Sequence, residues 1–287
     1  MSDEIPKFSL VVRLDDVVAP VHIGLKRLIL LVEDLLRRAP STRANGYSVP
    51  KIFFHFDPAP GLKPSTEELA EYTEERILQW AISDAVELLK PLLVHARAVC
   101  RLYDRGPASV ITGDEWNAMV NDWKKSDEQM GRWNLAQRLA ELNQKHPNLK
   151  MPPLLAEIKG IFAMRNCLLH SHGVLAQSYC NEPGALRIRF RRWAAWVIDP
   201  AAGDHEYKEG EIVRHGESLQ MRIVPSERVW QVAERVLLSP QLFMDLCVTI
   251  DSFALELMKS LEAYARSQGI PFKPANEGKG PGLDGPV

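Results

Sequence analysis

The chain has 287 residues, of which 46% are hydrophobic and 25% are charged. These proportions are ordinary for a folded globular chain and exclude a wholly disordered, collagen-like or membrane-embedded protein. The 35 Lys and Arg residues balance 37 Asp and Glu residues, which gives a formal charge of −2. This balance excludes a protein that coats nucleic acid through bulk positive charge, so contact with RNA or DNA must use a local patch.

The cysteines and the start of the chain predict a cytoplasmic protein. No two cysteines have the spacing of a zinc or redox motif, and they are too few for a disulfide scaffold. The first residues are acidic where a signal peptide needs a basic and then an apolar stretch. The most apolar segment, residues 25–36, is interrupted by charged residues and is too short to cross a membrane.

Apolar residues recur at spacings of three and four along most of the chain, which is typical of amphipathic helices. The pattern predicts a helix over 21–38, a second from about 66 to 103 with a kink at Pro91, and a third over about 112–145. A fourth helix is predicted from about 151 to between 171 and 175. The short apolar run at 51–57 predicts a strand or an extended loop.

The period then changes to two residues, since Leu186, Ile188 and Phe190 alternate with arginines as in a β-strand. A strand is predicted from there to residue 198, with returning strands at 211–214 and 219–224. A last helix is predicted from Pro225 to about Ser267, with an interruption near residue 240.

The predicted fold class is therefore mainly α, a helical bundle with a small inserted antiparallel β-sheet. Residues 1–64 are expected to form an N-terminal helix and an extended segment that pack on the core. Residues 65–273 are expected to form the helical domain, with the β insertion at about 186–224. Residues 274–287 are rich in glycine and proline and are predicted to be a disordered tail.

Three polar residues, Arg165, Asn166 and His170, lie near the end of a predicted helix that is otherwise apolar. Asn166 and His170 are four residues apart and share a helix face, with about 6 Å between their β-carbons. A guanidinium and an imidazole that converge there would suit a phosphate. The same residues also fit a structural polar network or a helix C-terminus closed by Gly173 in the left-handed conformation.

The pattern Arg-Asn-x-x-x-His at 165–170 resembles the signature of HEPN domains (higher eukaryotes and prokaryotes nucleotide-binding). In that family an Arg, usually followed by a polar residue, precedes a His by four to six positions. The resemblance covers the motif and the helical run from about Thr66 to Val174, plus a closing helix from Ser226 to Ser267. It implies a HEPN-like helical bundle.

The resemblance also implies an activity and partners. HEPN proteins include metal-independent endoribonucleases that act as homodimers with facing motifs, often in toxin–antitoxin, abortive-infection and other defence systems. By this resemblance His170 transfers a proton as the ribose 2′-hydroxyl attacks the adjacent phosphate, Arg165 stabilises the transition state, and Asn166 orients His170 or holds a phosphate oxygen. The implied substrate is RNA, the implied partner is an antitoxin or other regulatory protein, and no metal or other cofactor is implied.

Two alternatives stay open at the sequence level. Many HEPN proteins bind a nucleotide, RNA or a protein partner without cleaving it, so the chain fits a non-catalytic HEPN-like module as well. It also fits a scaffold in which the polar cluster is only structural. The acidic helper that some family members use is not assigned, and Glu75, Asp84 and Glu87 on an earlier helix are the candidates.

Four arginines and a tryptophan in the predicted strand form a candidate RNA-binding surface. Arg187, Arg189 and Arg191 should share one sheet face at a spacing of about 7 Å, which suits a phosphate backbone, with Arg192 adjacent. Trp193 could stack on a base. The alternative is a solvated sheet face whose aromatic residues pack in the core.

A metal site and nucleotide hydrolysis are both disfavoured. His170 and His172 are two apart on a helix and point to nearly opposite sides, and neither they nor His205 and His215 belong to an H-E-x-x-H or C-x-x-C pattern. The chain also lacks a phosphate-binding glycine loop, a dinucleotide fingerprint and a G-x-S-x-G nucleophile motif.

Overall fold

The structure is a computed structural model that describes residues 12–45, 66–106, 113–131, 134–200 and 203–270. In these ranges the chain is mainly helical with a small three-stranded antiparallel sheet, which confirms the predicted fold class. The predicted strand at 51–57 and the predicted tail at 274–287 lie outside the described residues. Within the same ranges, no helix is long and apolar enough to cross a membrane. The helices are α1 (Leu14–Asn45), α2 (Thr66–Glu87), α3 (Leu89–Tyr103), α4 (Gly113–Gly131), α5 (Leu135–Lys145), α6 (Leu155–His170) and α7 (Pro240–Ser267), and the strands are β1 (Ala185–Ile198), β2 (His205–Glu206) and β3 (Ser218–Gln231).

Helix α1 is longer at both ends than the predicted 21–38, and it passes through Pro20. A proline inside a helix removes one backbone hydrogen bond and crowds the preceding turn. Val17, Val18 and Val21 on either side of Pro20 are all buried. Their burial offsets the cost of the proline, because most helical stability in proteins comes from packing an apolar face.

The two long predicted helices that follow are each divided in two. The first divides at Leu88 into α2 and α3, and Pro91 then lies in the first turn of α3, where its missing N–H is not needed. The second divides into α4 and α5. Asn134 caps α5, because its side chain accepts from the Gln137 N–H while the Gln137 side chain accepts from the Asn134 N–H, both at 2.9 Å.

The sheet has the order β2-β1-β3, and β1 pairs with β3 along the whole of both strands, from Ala185 opposite Gln231 to Ile198 opposite Ser218. Two predictions here are wrong. Residues 211–214 form no strand, and residues 225–231 belong to β3 rather than to the last helix. Cross-strand pairing with the buried part of β1 outweighs the helix-start signal of that segment. The β insertion therefore spans 185–231, and the closing helix α7 begins at Pro240 instead of Ser226.

The chain divides into two compact units. The first unit consists of Met1–Val18, Pro91–Pro152 and Leu255–Val287, and the second of Ala19–Lys90 and Pro153–Ala254. Helix α6, helix α2 and the sheet all belong to the second unit. Buried side chains of α2, α6, β1 and α7 form its core, among them Ile82, Val86, Ile158, Ile161, Met164, Leu186, Ile188, Phe243 and Phe253.

The first unit contains a buried histidine, His146, which follows α5 and is only 3% exposed. Its Nδ1 lies 3.0 Å from an oxygen of Asp104, and its ring meets the ring of Tyr264 edge-on, while the Tyr264 hydroxyl donates to Asp104. Burial lowers the pKa of His146, an effect that Asp104 opposes and that the charges of Arg97 and Arg101 reinforce. The fold therefore favours the neutral imidazole.

The buried imidazole of His146 predicts that the stability of the folded chain decreases at acidic pH. Because the pKa of His146 is lower in the folded chain than the ordinary value of 6.5, the unfolded chain binds the proton more readily. The free energy of unfolding should therefore decrease as the pH is lowered from 7.5 to 5.5. Urea titrations at the two pH values should show a smaller decrease for His146→Gln than for the wild type. His95→Gln, which replaces an exposed histidine of the same unit, is the control, and equal decreases in both variants would contradict the prediction.

Candidate functional site

The guanidinium of Arg165 is held between α6 and α2 by three acceptors. Its Nε and Nη2 donate to Ser83 Oγ over 3.3 and 3.1 Å. Nη1 donates to Asn166 Oδ1 over 3.0 Å, and Nη2 also lies 3.5 Å from Glu87 Oε1. Since a guanidinium has five N–H donors, these contacts leave one hydrogen of Nη1 for a further acceptor. Arg165 is thus a fixed cation with one N–H group that can donate to a ligand, and its side chain is 18% exposed.

The contact surface on α2 follows from its sequence. Ile82 and Val86 are fully buried in the core, and Ser83 and Glu87 follow them by one residue, four residues apart on a neighbouring, half-buried stripe. Glu87 also pairs with Lys90. Ser83 was not predicted, because a serine in a helix carries no signal of its own. The signal available was its spacing of four residues from an acidic candidate.

The three candidate acidic residues have different surroundings. Glu87 contacts Arg165, as described above. Glu75 accepts hydrogen bonds from Gln79 at 2.8 Å and from Arg235 at 2.6 Å instead. Burial, and to a lesser extent the charge of Glu87, raise the pKa of Asp84. Only Glu87 among the three is therefore in contact with the motif.

His170 is the last residue of α6 and is exposed. Its imidazole makes no hydrogen bond or ion pair with any described residue, and Asn166, one turn earlier, lies on the same helix face. The structure therefore brings Arg165 and Asn166 into contact and leaves His170 free at the end of the same helix.

The segment after His170 is held in place by a tight turn. His172 and Gly173 have φ of 49° and 80°, so Gly173 adopts the left-handed conformation that sequence analysis considered. The Val236 N–H donates to the Gly173 carbonyl at 2.8 Å, and the Leu175 N–H donates to the Glu234 carbonyl at 2.9 Å. A β-carbon at Gly173 would lie only 3.0 Å from the Val236 oxygen, so this close approach requires glycine.

The arginine row lies on β1, where the odd-numbered positions share one sheet face. Arg187, Arg189, Arg191 and Trp193 are on that face, opposite the buried side chains of the strand. Trp193 is 51% exposed, so the alternative in which it packs in the core does not apply to it. Arg192 lies on the other face.

Carboxylates neutralise part of this row. Arg187 donates to Glu182 at 2.8 Å and to Glu227 at 2.7 Å. The Nε of Arg189 lies 3.9 Å from the second oxygen of Glu227, and this side chain is 64% exposed. Two carboxylates therefore neutralise the charge of Arg187, whereas Arg189 extends into solvent.

The remaining two arginines also differ. The guanidinium of Arg191 has no carboxylate partner among the described residues, while its backbone N–H donates to Thr249 Oγ1 at 2.8 Å. The Nη2 of Arg192 contacts both carboxylate oxygens of Glu206, at 2.7 and 2.8 Å. Of the predicted RNA-binding residues, Arg189, Arg191 and Trp193 thus remain available on one face.

An open cavity of about 510 Å³ lies at the centre of this face. Arg189 and Arg191 contribute cationic groups to its wall, and Glu157 and Glu227 contribute acidic ones. The cavity therefore has balanced charge, with an apolar part supplied by both strands and the start of α6. Its lining consists of Leu154, Glu157, Arg189, Phe190, Arg191, Ile223, Pro225, Ser226 and Glu227.

The described ranges hold no group of three or more His, Cys, Asp or Glu side chains placed to bind a metal ion. His205, which the sequence left as a conceivable ligand, contacts Glu211 at 2.6 Å instead. This contact raises the pKa of His205 and lowers that of Glu211.

Comparison with known proteins identifies no relative of the chain. No protein-family model matches it, and neither a curated protein nor a solved structure matches it.

Proposed function

We propose that the protein is a metal-independent endoribonuclease of the HEPN type, with a role in a toxin–antitoxin, abortive-infection or other defence system. The observation that carries this proposal is the combination found on α6: a cation, Arg165, fixed by neighbouring side chains, and an exposed imidazole, His170, at the end of the same helix. Attack of a ribose 2′-hydroxyl on the adjacent phosphate is promoted by a fixed positive charge and by a group that exchanges protons near neutral pH.

In the proposed reaction His170 removes the proton of a ribose 2′-hydroxyl. The 2′-oxygen then attacks the adjacent phosphorus, and the bond from phosphorus to the 5′-oxygen of the next nucleotide breaks. The leaving 5′-oxygen takes up a proton from water, so the products are a 2′,3′-cyclic phosphate and a 5′-hydroxyl, and His170 then releases the proton of the 2′-hydroxyl to solvent. The free Nη1 hydrogen of Arg165 would donate to a non-bridging phosphate oxygen, where negative charge develops.

The neighbouring residues position these two groups. Asn166 uses its carbonyl oxygen to accept from Arg165, which leaves its amide NH₂ to donate to a phosphate oxygen. Glu87 and Ser83 fix the guanidinium, so Glu87 is the acidic helper that the contacts favour. The family resemblance further implies a homodimer whose two motifs face each other, regulated by an antitoxin or another protein.

Incubation of the purified protein with single-stranded RNA in EDTA tests the proposal. Cleavage should persist in the chelator, and the new ends should be a 2′,3′-cyclic phosphate and a 5′-hydroxyl. An oligonucleotide with 2′-deoxyribose at every position is the matched control and should remain intact, because it lacks the attacking hydroxyl. Cleavage of that control, or cleavage only after divalent metal is added, would contradict the proposed chemistry.

The alternative is a non-catalytic module that binds a nucleotide, RNA or a protein partner through the same residues. The specific observation that favours it is that four of the five N–H donors of Arg165 already have acceptors within the chain. In that case RNA would bind without any cleavage, and Arg165→Ala would weaken binding.

A further inference from the structure

Among the described residues, the outer edge of β3 has no partner strand, and the backbone contacts of β1 show which groups of β3 face that edge. On the opposite side of β1, Asn181 exchanges hydrogen bonds of 2.7 and 2.9 Å with the backbone of Arg187, and Thr249 accepts from the N–H of Arg191. The backbone N–H and C=O groups of the odd-numbered residues of β1 therefore point away from β3. In an antiparallel pair the residues opposite them must point away as well. The odd-numbered residues of β3 therefore direct their N–H and C=O groups to the outer edge.

The position of Pro225 agrees with this assignment. It lies opposite Arg191, so its nitrogen faces outward and β3 loses no hydrogen bond to β1. The backbone N–H and C=O groups of three residues before Pro225 also point to the outer edge, namely those of Leu219, Met221 and Ile223. Their backbone groups have no hydrogen-bond partner in the part of the chain that the structure describes.

The side chains along this edge are apolar and exposed. Leu219, Met221 and Ile223 are 53%, 56% and 42% exposed. The one charged residue between them, Arg222, lies on the other face, where it pairs with Asp204 at 2.6 Å and covers the ring of Trp196. Sheet edges are normally protected by charged residues, by proline or by a covering element, because free backbone groups pair readily with another strand. Between residues 218 and 224 the described residues include no proline and no strand paired with this edge, and Asp204 already engages the charge of Arg222.

We propose that β3 pairs with β3 of a second copy of the chain, antiparallel and with a two-fold axis at Met221, to form a continuous six-stranded sheet. The sequence is complementary to itself in this register. Leu219 lies opposite Ile223 of the second copy, the two Met221 residues face each other, and Gln220 lies opposite Arg222. No like charges are opposed, and the pairing ends where Pro225 offers no N–H.

This interface does not depend on the proposed ribonuclease activity, since it uses none of the residues of the α6 motif. The pairing would also place the same sheet face of both copies on one side of the assembly. Residues opposite each other in adjacent strands have their side chains on the same face, so the faces that carry Arg189, Arg191 and Trp193 would lie on one side of the joined sheet.

Substitution of Met221 by proline tests the backbone part of the contact. Met221→Pro removes one outward N–H and leaves the pairing of β3 with β1 unchanged, as Pro225 already does. Light scattering after gel filtration should give half the mass of the wild-type assembly. Val229→Pro removes an outward N–H beyond the proposed contact and should keep the wild-type mass. A full-mass assembly of Met221→Pro, or a wild-type chain that is monomeric at tens of micromolar, would overturn the proposal.

A charge exchange at the same residue tests the register and covers the case in which Met221→Pro does not fold. Met221→Lys and Met221→Glu each place like charges opposite each other at the two-fold axis, so each variant alone should raise the dissociation constant at least about tenfold. An equal mixture of the two should restore association. The corresponding pair at Val229 should have no such effect. Failure of the mixture to associate would exclude this register, and none of these measurements depends on RNA cleavage.

Discussion

Replacement of His170 by alanine is expected to reduce the rate of RNA cleavage by about 10²–10⁴-fold, the usual contribution of a general base or acid. The free energy of unfolding should change by less than about 0.5 kcal/mol, because the side chain is exposed and makes no hydrogen bond or ion pair with the described residues. The measurements are single-turnover cleavage of a labelled RNA and a urea titration. A loss of activity without a loss of stability would separate a chemical role from a structural one.

The matched control is His172, another exposed histidine two residues further along the chain. Because its φ is positive, asparagine is the appropriate replacement, since asparagine tolerates the left-handed conformation better than most residues. His172→Asn should cleave RNA at close to the wild-type rate. Wild-type cleavage by His170→Ala would show that the reaction uses another residue, and a lower melting temperature as its only effect would favour the structural role.

Replacement of Arg165 by alanine is expected to affect activity and stability together. Cleavage should decrease at least about 10²-fold, because the developing phosphate charge loses its fixed donor. The free energy of unfolding should decrease by about 1–3 kcal/mol, since Ser83 and Asn166 would lose a hydrogen-bond donor and Glu87 would keep only its pair with Lys90. The same cleavage assay and urea titration measure both quantities.

Arg165→Lys separates the two effects. An ammonium keeps the charge near Glu87 but cannot span Ser83, Asn166 and a phosphate at once, because it lacks the planar fork of a guanidinium. The variant should regain part of the lost stability and little of the lost activity. If Arg165→Lys restored full cleavage, a point charge alone would suffice and the separate hydrogen bonds of the guanidinium would have no part in catalysis.

The parts of the fold that sequence predicted are those with a local cause. The motif falls on a helix as predicted, and the buried residues Ile158, Ile161, Met164 and Leu168 of that helix recur at spacings of three and four. The alternation of buried residues and arginines likewise placed β1 within one residue of its observed start, Ala185. In both cases neighbouring residues along the chain contain the whole signal.

The wrong prediction for residues 225–231 comes from an interaction between distant segments. Residues 225–231 read locally as the start of a helix, yet they pair with β1 across the whole insertion, and the pairing of Leu186 with Trp230 is not visible in either segment alone.

The division of the helix before Leu135 was missed for a different reason. There the signal was local, the spacing of Asn134 and Gln137, but the apolar periodicity on both sides concealed it.

In the candidate site, too, local spacing identified some residues, and only the tertiary packing identified their partners. Arg165, Asn166 and His170 were identified from their spacing, whereas the partners of Arg165 on α2 lie more than 75 residues earlier in the chain. Glu87 was only one of three candidates until the packing of α2 against α6 selected it. The neutralisation of Arg187 by Glu182 and Glu227 depended in turn on the hairpin register, which brings Glu227 beside the row from the opposite strand.

The pairing of Arg187 with two carboxylates also has a thermodynamic consequence. A row of free guanidiniums would bind a polyanion largely by displacing its condensed cations, and such binding is strong in dilute buffer and weak at physiological ionic strength. With Arg187 occupied, only Arg189 and Arg191 can displace cations on this face. A nucleic acid held there would owe its affinity mainly to stacking and directed hydrogen bonds. The affinity of such binding would change little at physiological ionic strength. The directed hydrogen bonds would also distinguish one nucleotide from another, which charge alone does not do.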